Sequence, residues 1–282
     1  RYGGRKVYQL ENSIMKIFDV HTHVFPEKIA AAALSHLQQK SYDIPVYTAG
    51  TGASLLQKAS EAGYSGWLNC PVVTNPRQMR SVNEWAAEWN VWPHLSLGGI
   101  HPDAEDADRE LYRIQELGLL GVKFHPEYQE FQPLEKRMER FWSICEKLSL
   151  PVLIHAGQDI GFQGSRRSRP ADFAELSRRH PALVIICAHL GGWREWDEVE
   201  RCLVGQRVFL DTSFAQMYMQ DQTQFKRIIV NHGSEKILYG TDSPWRNLYD
   251  GVAEIVALGL SHDQQENIFW RNAERIFPLP KQ

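Results

Sequence analysis

The stretch KIFDVHTHV, residues Lys16–Val24, is a short apolar run that ends in two histidines. Apolar residues such as Phe18 and Val20 in a run this short are typical of a buried β-strand. Because side chains alternate along a strand, His21 and His23 are expected to point to the same side. Two imidazoles on one side of a strand end can bind the same metal ion.

Seven further β-rich apolar runs follow along the chain. They are Gly66–Val73, His94–His101, Gly118–His125, Pro151–Ala156, Ala182–His189, Arg207–Thr212 and Ile237–Thr241. Several are continuously apolar, which is the pattern of parallel strands covered on both faces. The segments between them have helical periodicity, as in Pro133–Leu148. This alternation predicts an α/β fold, a (β/α)8 barrel of the TIM type in regular or distorted form.

The composition fits one globular enzyme-sized domain. The chain has 282 residues, of which 43% are hydrophobic and 23% are charged. We therefore expect a single barrel domain over residues 15–282, with residues 1–14 as an N-terminal extension or a cloning remnant. The net charge of −3 gives no reason to expect nucleic-acid or membrane partners. A small-molecule partner is expected, and a homo-oligomer is left open.

The cysteines and the N-terminal residues indicate in which cellular compartment the protein is expected. The four cysteines are widely separated and form no CxxC pair, so we expect packed thiols. The basic N-terminal residues are not followed by an apolar stretch, so a secretory signal is not expected. No apolar run approaches the roughly 18–20 residues of a membrane-spanning helix. These patterns predict a cytoplasmic protein.

Ionisable residues gather at the carboxyl ends of the apolar runs. They are His21, His23, His101, Lys123, His125, His155, His189 and Asp242. Active sites of barrels are assembled at that face from the ends of several strands. Each residue taken alone also has a structural interpretation, such as a hydrogen-bonded core histidine or an aspartate that caps a helix. Together they predict a metal site made of His21, His23, His155, His189 and Asp242.

The ordered motifs FDVHTHVFP, GVKFHP, PVLIHAG, AHLGG, LDTS and GTDSPW resemble the amidohydrolase superfamily, particularly its amidohydrolase 2 branch. The resemblance spans about Ile17 to Phe277. It implies a distorted (β/α)8 barrel and one or two divalent ions, most often Zn²⁺. By the same resemblance His21, His23, His155 and Asp242 hold metal, and His189 orients substrate and water or binds a second ion.

Lys123 has three interpretations. In binuclear relatives a carboxylated lysine on the fourth strand bridges two metals, and Lys123 ends that strand. An unmodified lysine would pair with an anionic group of the substrate. The third interpretation is a lysine whose ammonium reaches solvent at the barrel rim. His125 lies on the same face of the strand as Lys123. Together with Lys123, it is expected either to bridge two metals or to contact the substrate.

The glycine-rich loop after the fifth strand carries a basic run. Arg166, Arg167 and Arg169 are interpreted either as a solvated loop or as a lid that clamps an anionic substrate. Tryptophans follow the strand ends as well, and they are expected either to wall a pocket or to pack in the core. These tryptophans are Trp193, Trp196 and Trp245.

The residues predict a hydrolase that activates water for attack on the carbonyl centre of an amide or ester. Asp242 would accept the proton of a metal-bound water, and the metal or His189 would stabilise the oxyanion. The alternative is a metal-dependent non-oxidative decarboxylase or hydratase of an unsaturated or aromatic acid. The motif GIHPD at Gly99–Asp103 resembles phosphoesterases of the deoxyribonuclease-like barrel group. That group usually carries a glutamate on the fourth strand, where this chain has Lys123, so a phosphoesterase is disfavoured. A barrel that only binds ligands is the remaining alternative.

Overall fold

The protein is described by a computed structural model that covers Gln9, Leu10 and residues 13–280. Parallel strands form its centre. They are β1 (Phe18–Thr22), β2 (Gly66–Asn69), β3 (His94–Ser96, continued by Gly98–Gly99), β4 (Val122–Phe124), β5 (Val152–Ile154), β6 (Ile185–Cys187), β7 (Phe209–Asp211) and β8 (Ile237–Leu238). Each pairs in parallel with the next, in the order of the sequence.

Backbone hydrogen bonds close the strands into a barrel. At β3, Leu97 N donates to Asn69 O at 2.9 Å and Gly98 N donates to Gly121 O at 2.9 Å. Between β8 and β1, Val20 N donates to Tyr239 O at 2.9 Å. A ring of eight parallel strands is therefore complete, and the predicted barrel fold is confirmed.

Helices surround the barrel. They are α1 (Glu27–Lys40), α2 (Gly52–Glu61), α3 (Met79–Trp89), α4 (Ala107–Glu116), α5 (Pro126–Gln129), α6 (Glu139–Leu148), α7 (Pro170–Arg179), α8 (Trp196–Glu198), α9 (Gln222–His232), α10 (Leu248–Ala257), α11 (His262–Glu266) and α12 (Asn272–Ile276). Short 3₁₀ turns cover Pro76–Gln78, Lys136–Met138, His189–Gly191, Gln216–Tyr218 and Ser234–Lys236, and π-helical turns cover Val199–Leu203 and Asn267–Arg271.

Polar side chains and prolines set where several helices begin. The Thr51 side chain accepts a hydrogen bond from Ser54 N in the first turn of α2, and the Asn247 side chain accepts one from Tyr249 N in the first turn of α10. Pro170 opens α7, where its missing N–H has no partner to lose.

The core has two layers because each strand is covered on both faces. Inside the barrel, Val20, Leu68 and Leu153 belong to one buried cluster. Outside it, neighbours in the same strand such as Val152 and Ile154 pack against the helices. This arrangement explains why the strands are apolar throughout rather than alternating.

The chain's N-terminal segment lies partly outside the described residues. Gln9–Leu10 pairs in antiparallel fashion with Ser13–Ile14, and residues 1–8, 11 and 12 are not described, so the origin of residues 1–14 stays a prediction. All four cysteines are free thiols, and Cys202 alone among them is not fully buried. Within the described part of the chain, none of the helices combines the length and apolar character needed to cross a membrane.

Candidate active site

The carboxyl ends of the strands open into a cavity of about 860 Å³. Its floor is formed by ionisable side chains that lie in or after the last residues of β1, β4, β5, β6 and β8. These are His21, His23, Lys123, His125, His155, His189 and Asp242. Seven of the predicted strand-end residues therefore meet in one place, as expected for the active face of a barrel.

His21, His23 and Asp242 form the tightest group on this floor. Asp242 Oδ1 lies 3.0 Å from His23 Nε2 and 3.4 Å from His21 Nε2. Burial alone would raise the pKa of Asp242, but the neighbouring His21 and His23 outweigh burial and hold it below its usual range. An ionised carboxylate beside two imidazoles is a donor set that suits a divalent cation.

Asp211 orients the first of these histidines. His21 Nδ1 lies 2.9 Å from Asp211 Oδ2, and a carboxylate can only accept, so Nδ1 donates. His21 Nε2 is then left with its lone pair, which lies 2.9 Å from Lys123 Nζ and 3.4 Å from Asp242 Oδ1. Burial first, and the charge of Lys123 second, lower the pKa of His21 to about 4. His21 is therefore a neutral imidazole near pH 7, the form that binds metals.

Lys123 lies beside this group. Its Nζ is 2.9 Å from His21 Nε2, and the side chain is 1% exposed. Burial lowers the pKa of Lys123, while Cys70 and Asp242 oppose that change. A lysine this buried does not reach solvent, so the rim interpretation is wrong. The bridging and substrate-pairing interpretations stay predictions.

His155 and His189 form a second pair on the floor. His189 Nε2 lies 3.0 Å from His155 Nδ1, and His189 Nδ1 lies 3.1 Å from Ser213 O. Since a carbonyl only accepts, Nδ1 of His189 carries a proton and its Nε2 faces the other ring. Burial and the charge of His125 lower the pKa of His155 well below its usual value.

The turn at His189 holds an unusual backbone. His189 has φ 57° and Leu190 has φ 55°, a left-handed conformation that costs about 1 kcal/mol or more for residues of this kind. Gly191 and Gly192 follow and permit the close packing of this turn.

His125 extends the site toward the loop after β5. Its ring stacks on His155 with centroids 4.1 Å apart, and its Nε2 is 3.4 Å from Asp159 Oδ2. Burial lowers the pKa of His125, and the hydrogen bond to Asp159 opposes that change. His101, by contrast, is buried but does not line the cavity.

Three polar residues of the site were missed by sequence reasoning. Asp211 ends β7 in RVFLDT, so the strand-end rule that found the histidines could have found it. Ser213 follows two residues later and contacts both His21 and His189 at 3.0 Å. Asp159 lies in an irregular loop, where no periodic pattern marks it.

The loop after β5 lines the cavity through residues 158–162, but its basic part does not. Arg166 pairs with Glu195 at 2.6 Å, and Arg167 N donates to Glu127 Oε1 at 2.8 Å. Arg169 precedes α7 and is exposed. None of the three arginines is among the described residues that line the cavity, so the structure does not place them as a clamp.

Two of the three tryptophans noted in the sequence line the cavity. Trp193 and Trp245 are part of its wall. Trp196 instead packs behind the floor, where its Nε1 donates to His189 O at 3.1 Å.

The described residues contain three cavity groups that could hold a metal ion. They are His21–His23–Asp242, His21–His189–Asp211 and His125–His155–Asp159. A fourth group, His262–Asp263–Glu266, lies away from the cavity on α11. The first is more accessible than the second, because Asp211 of the second group already accepts hydrogen bonds from His21 and from the backbone N–H groups of His189 and Ser213.

Comparisons with known proteins identify the family and a curated relative of this chain. Residues 18–279 match the family model described as Amidohydrolase. Gamma-resorcylate decarboxylase of Polaromonas sp. (strain JS666) is 24% identical over 224 residues, which cover 63% of this chain and 68% of that protein.

Solved structures show the same fold. The 5-carboxyvanillate decarboxylase of Sphingomonas paucimobilis has a TM-score of 0.72 and 18% identity, with 94% of this chain and 100% of that chain covered. A dihydroxybenzoic acid decarboxylase of Polaromonas sp. JS666, solved with manganese and 2-nitroresorcinol, has a TM-score of 0.69 and 17% identity, with 95% and 98% covered.

These comparisons correct the predicted reaction. The sequence predicted a hydrolase, and that prediction is wrong because the relatives with named reactions are decarboxylases. The ligand types alone do not separate the two reactions, since both can use the same histidines and carboxylate. A divalent metal is supported, but zinc in particular is not, since the solved relative holds manganese.

Proposed function

The chain belongs to the amidohydrolase family, and on that premise we propose that it is a metal-dependent non-oxidative decarboxylase of an aromatic carboxylic acid. One observation carries the proposal: the His21–His23–Asp242 group lies at the floor of a cavity whose walls are largely aromatic and aliphatic. A polar floor under apolar walls suits a flat ring with a charged group at one edge.

The metal would be held by His21, His23 and Asp242, with His155 as a further ligand. The donor set fits a divalent ion, because two imidazoles and an ionised carboxylate converge. When bound, such an ion would act as a Lewis acid toward substrate oxygens beside the carboxylate. Asp211 would keep His21 in the tautomer that presents Nε2.

The chain must also supply a proton. Loss of CO₂ breaks the bond between ring and carboxyl carbon, and its electron pair stays on the ring carbon, which then takes a proton. His189 is suited to hold that proton on Nε2, because Ser213 O fixes the proton on its Nδ1 and Trp196 supports its backbone. Protonated His189 would be a general acid at the floor of the cavity.

The walls would orient the ring and exclude water. Several aromatic side chains line the cavity, and they offer faces for stacking. They are Phe25, Tyr128, Trp193, Phe214 and Trp245. A carboxylate held away from water loses solvation that neutral CO₂ does not need, so a water-poor site favours its loss.

The test is direct measurement of the reaction. Metal-free enzyme is loaded with Mn²⁺ or Zn²⁺ and incubated with 2,6-dihydroxybenzoate or 5-carboxyvanillate, and CO₂ and the decarboxylated phenol are quantified. Equal amounts of both products, dependent on metal, are expected from at least one acid. Failure of a broader panel of aromatic acids to release CO₂ from the metal-loaded enzyme would refute the proposal.

A further inference from the structure

The cavity is much larger than one aromatic ring requires. Its volume is about 860 Å³, whereas a dry cavity of about 150 Å³ is enough to hold benzene. The candidate metal ligands occupy its floor only. A monocyclic acid bound there would leave most of the cavity empty.

Helix α1 contributes an apolar stripe to this empty part. Ala30 and Leu34 of α1 are buried in the core. Ile29, Ala33 and Leu37 recur at a spacing of four and line the cavity instead. Residues four apart lie on one face of a helix, so α1 has a second apolar face that is directed at the cavity.

Helix α3 and two loops add to the same wall. Val82 and Trp85 of α3 line the cavity and are half-buried, and Val72 and Ile44 join them. Five polar side chains that line this part of the cavity are exposed, as expected at its rim. They are His36, Lys40, Thr74, Gln78 and Ser81. Ser41 also lines the cavity and is buried, but its hydroxyl donates to Leu37 O at 2.7 Å. The half-buried wall formed by α1 and α3 between rim and floor is thus mainly apolar.

The apolar wall extends to solvent. Ile29 is 52% exposed although it lines the cavity. Aliphatic side chains facing an open, water-filled cavity are unfavourable unless a ligand covers them. The channel, defined here by Ile29, Ala33, Leu37, Val82 and Trp85, is continuous with the floor of the candidate active site because all five line one cavity.

We propose that this channel binds an alkyl substituent of the substrate, carried on the ring carbon para to the carboxylate. The inference rests on the proposed function, which places the carboxylate edge of the ring against His21, His23 and Asp242. The para carbon then points away from the floor. The substrate class is a para-alkylated hydroxybenzoic acid, and the product is a 5-alkylresorcinol where two hydroxyls flank the carboxylate.

The first experiment measures binding without turnover. Resorcinol, 5-methylresorcinol and 5-pentylresorcinol are titrated into Mn²⁺-loaded enzyme by calorimetry. Affinity is expected to rise two- to fourfold for each methylene that enters the channel, on the order of the gain for burying one such group. Equal affinities across the series would overturn the proposal.

The second experiment tests whether the alkyl chain of the ligand lies in the channel. Ala33→Phe fills the channel and Val82→Asn makes its wall polar, so each should bring the pentyl-to-unsubstituted affinity ratio toward one. Leu56→Asn is the matched control, since Leu56 of α2 is 46% exposed and is not among the described cavity-lining residues. Circular dichroism checks that each variant folds. If Ala33→Phe does not fold, Val82→Asn, which adds no bulk, still tests the channel. A wild-type ratio in folded variants would contradict the assignment.

Failure of this proposal and failure of the proposed function give different results. If CO₂ is released from 2,6-dihydroxybenzoate but the alkyl chain does not increase binding affinity, the proposed reaction is retained and the channel is refuted. Stronger binding of 5-pentylresorcinol, lost in Val82→Asn, with no CO₂ from any aromatic acid would retain the apolar site and refute the reaction.

Discussion

Asp211 Oδ2 lies 2.9 Å from His21 Nδ1, and both side chains are buried at the carboxyl ends of their strands. The contact joins β7 to β1 across the barrel mouth and selects the tautomer of His21. Burial raises the pKa of Asp211, but the neighbouring His21 outweighs burial and holds it below its usual range. A permanently ionised acceptor therefore orients the imidazole that faces Asp242.

Asp211→Ala is expected to lower metal affinity about 10- to 100-fold, the usual cost of losing the carboxylate behind a ligating histidine. The reason is that His21 loses the acceptor that fixes its ring and its tautomer. Calorimetric titration of the metal-free variant with Mn²⁺ measures this. Asp221→Ala, an exposed aspartate before α9, serves as the control and should bind metal like the wild type. Unchanged affinity in Asp211→Ala would rule out the orienting role.

Asp242→Asn is expected to lose turnover and part of its metal. Asparagine keeps one oxygen at the position of Asp242 Oδ1 but removes the charge that lies 3.0 Å from His23 Nε2. Elemental analysis of metal per chain and the rate of CO₂ release separate the two losses. Wild-type rates with full metal content would remove Asp242 from the site.

The outline of this site follows from the strand pattern. His21, His23, His155, His189 and Asp242 end buried strands or follow them directly, and a barrel brings such ends together whatever the loops do. Asp211 obeys the same rule, since it ends β7 in the motif LDTS, and the strand pattern therefore also marks this carboxylate.

Other features depend on packing that no local pattern encodes. Asp159 reaches His125 from an irregular loop, and the cavity face of α1 is set by how that helix docks. The same docking decides that Arg166 meets Glu195 rather than the cavity. The reaction itself was mispredicted because the ligand set is compatible with both hydrolysis and decarboxylation, so only the wall of the cavity and the relatives favour the second.

His189→Gln is expected to reduce kcat by 10²- to 10⁴-fold, the usual contribution of a general acid, while metal content is retained. Glutamine can keep a hydrogen bond toward Ser213 but cannot hold a transferable proton. Single-turnover CO₂ release with metal-loaded variant gives the rate, and elemental analysis gives occupancy. Loss of metal in step with loss of rate would instead make His189 a ligand.

Buried His232 is expected to make stability fall in mild acid. Its Nδ1 accepts from Gly205 N at 3.1 Å and its Nε2 donates to Val208 O at 2.9 Å, so the folded ring is neutral. Burial lowers its pKa to about 4, below the value of roughly 6.5 expected in the unfolded chain. The unfolded chain therefore binds the extra proton between these values, and stability present above pH 6.5 is lost toward pH 4.

The slope from this one group is about 1.4 kcal/mol per pH unit within that window. Urea unfolding at pH 7.5, 6.5 and 5.5, with a chelator throughout, measures the free energy of unfolding for wild type and His232→Gln. The variant is expected to be less stable at pH 7.5, and its deficit should shrink by about 1 kcal/mol at pH 5.5. Leu56→Asn on α2, which removes no titratable group, should keep the wild-type slope. A deficit that stays constant over the three pH values would show that the pKa of His232 does not differ between the folded and unfolded states.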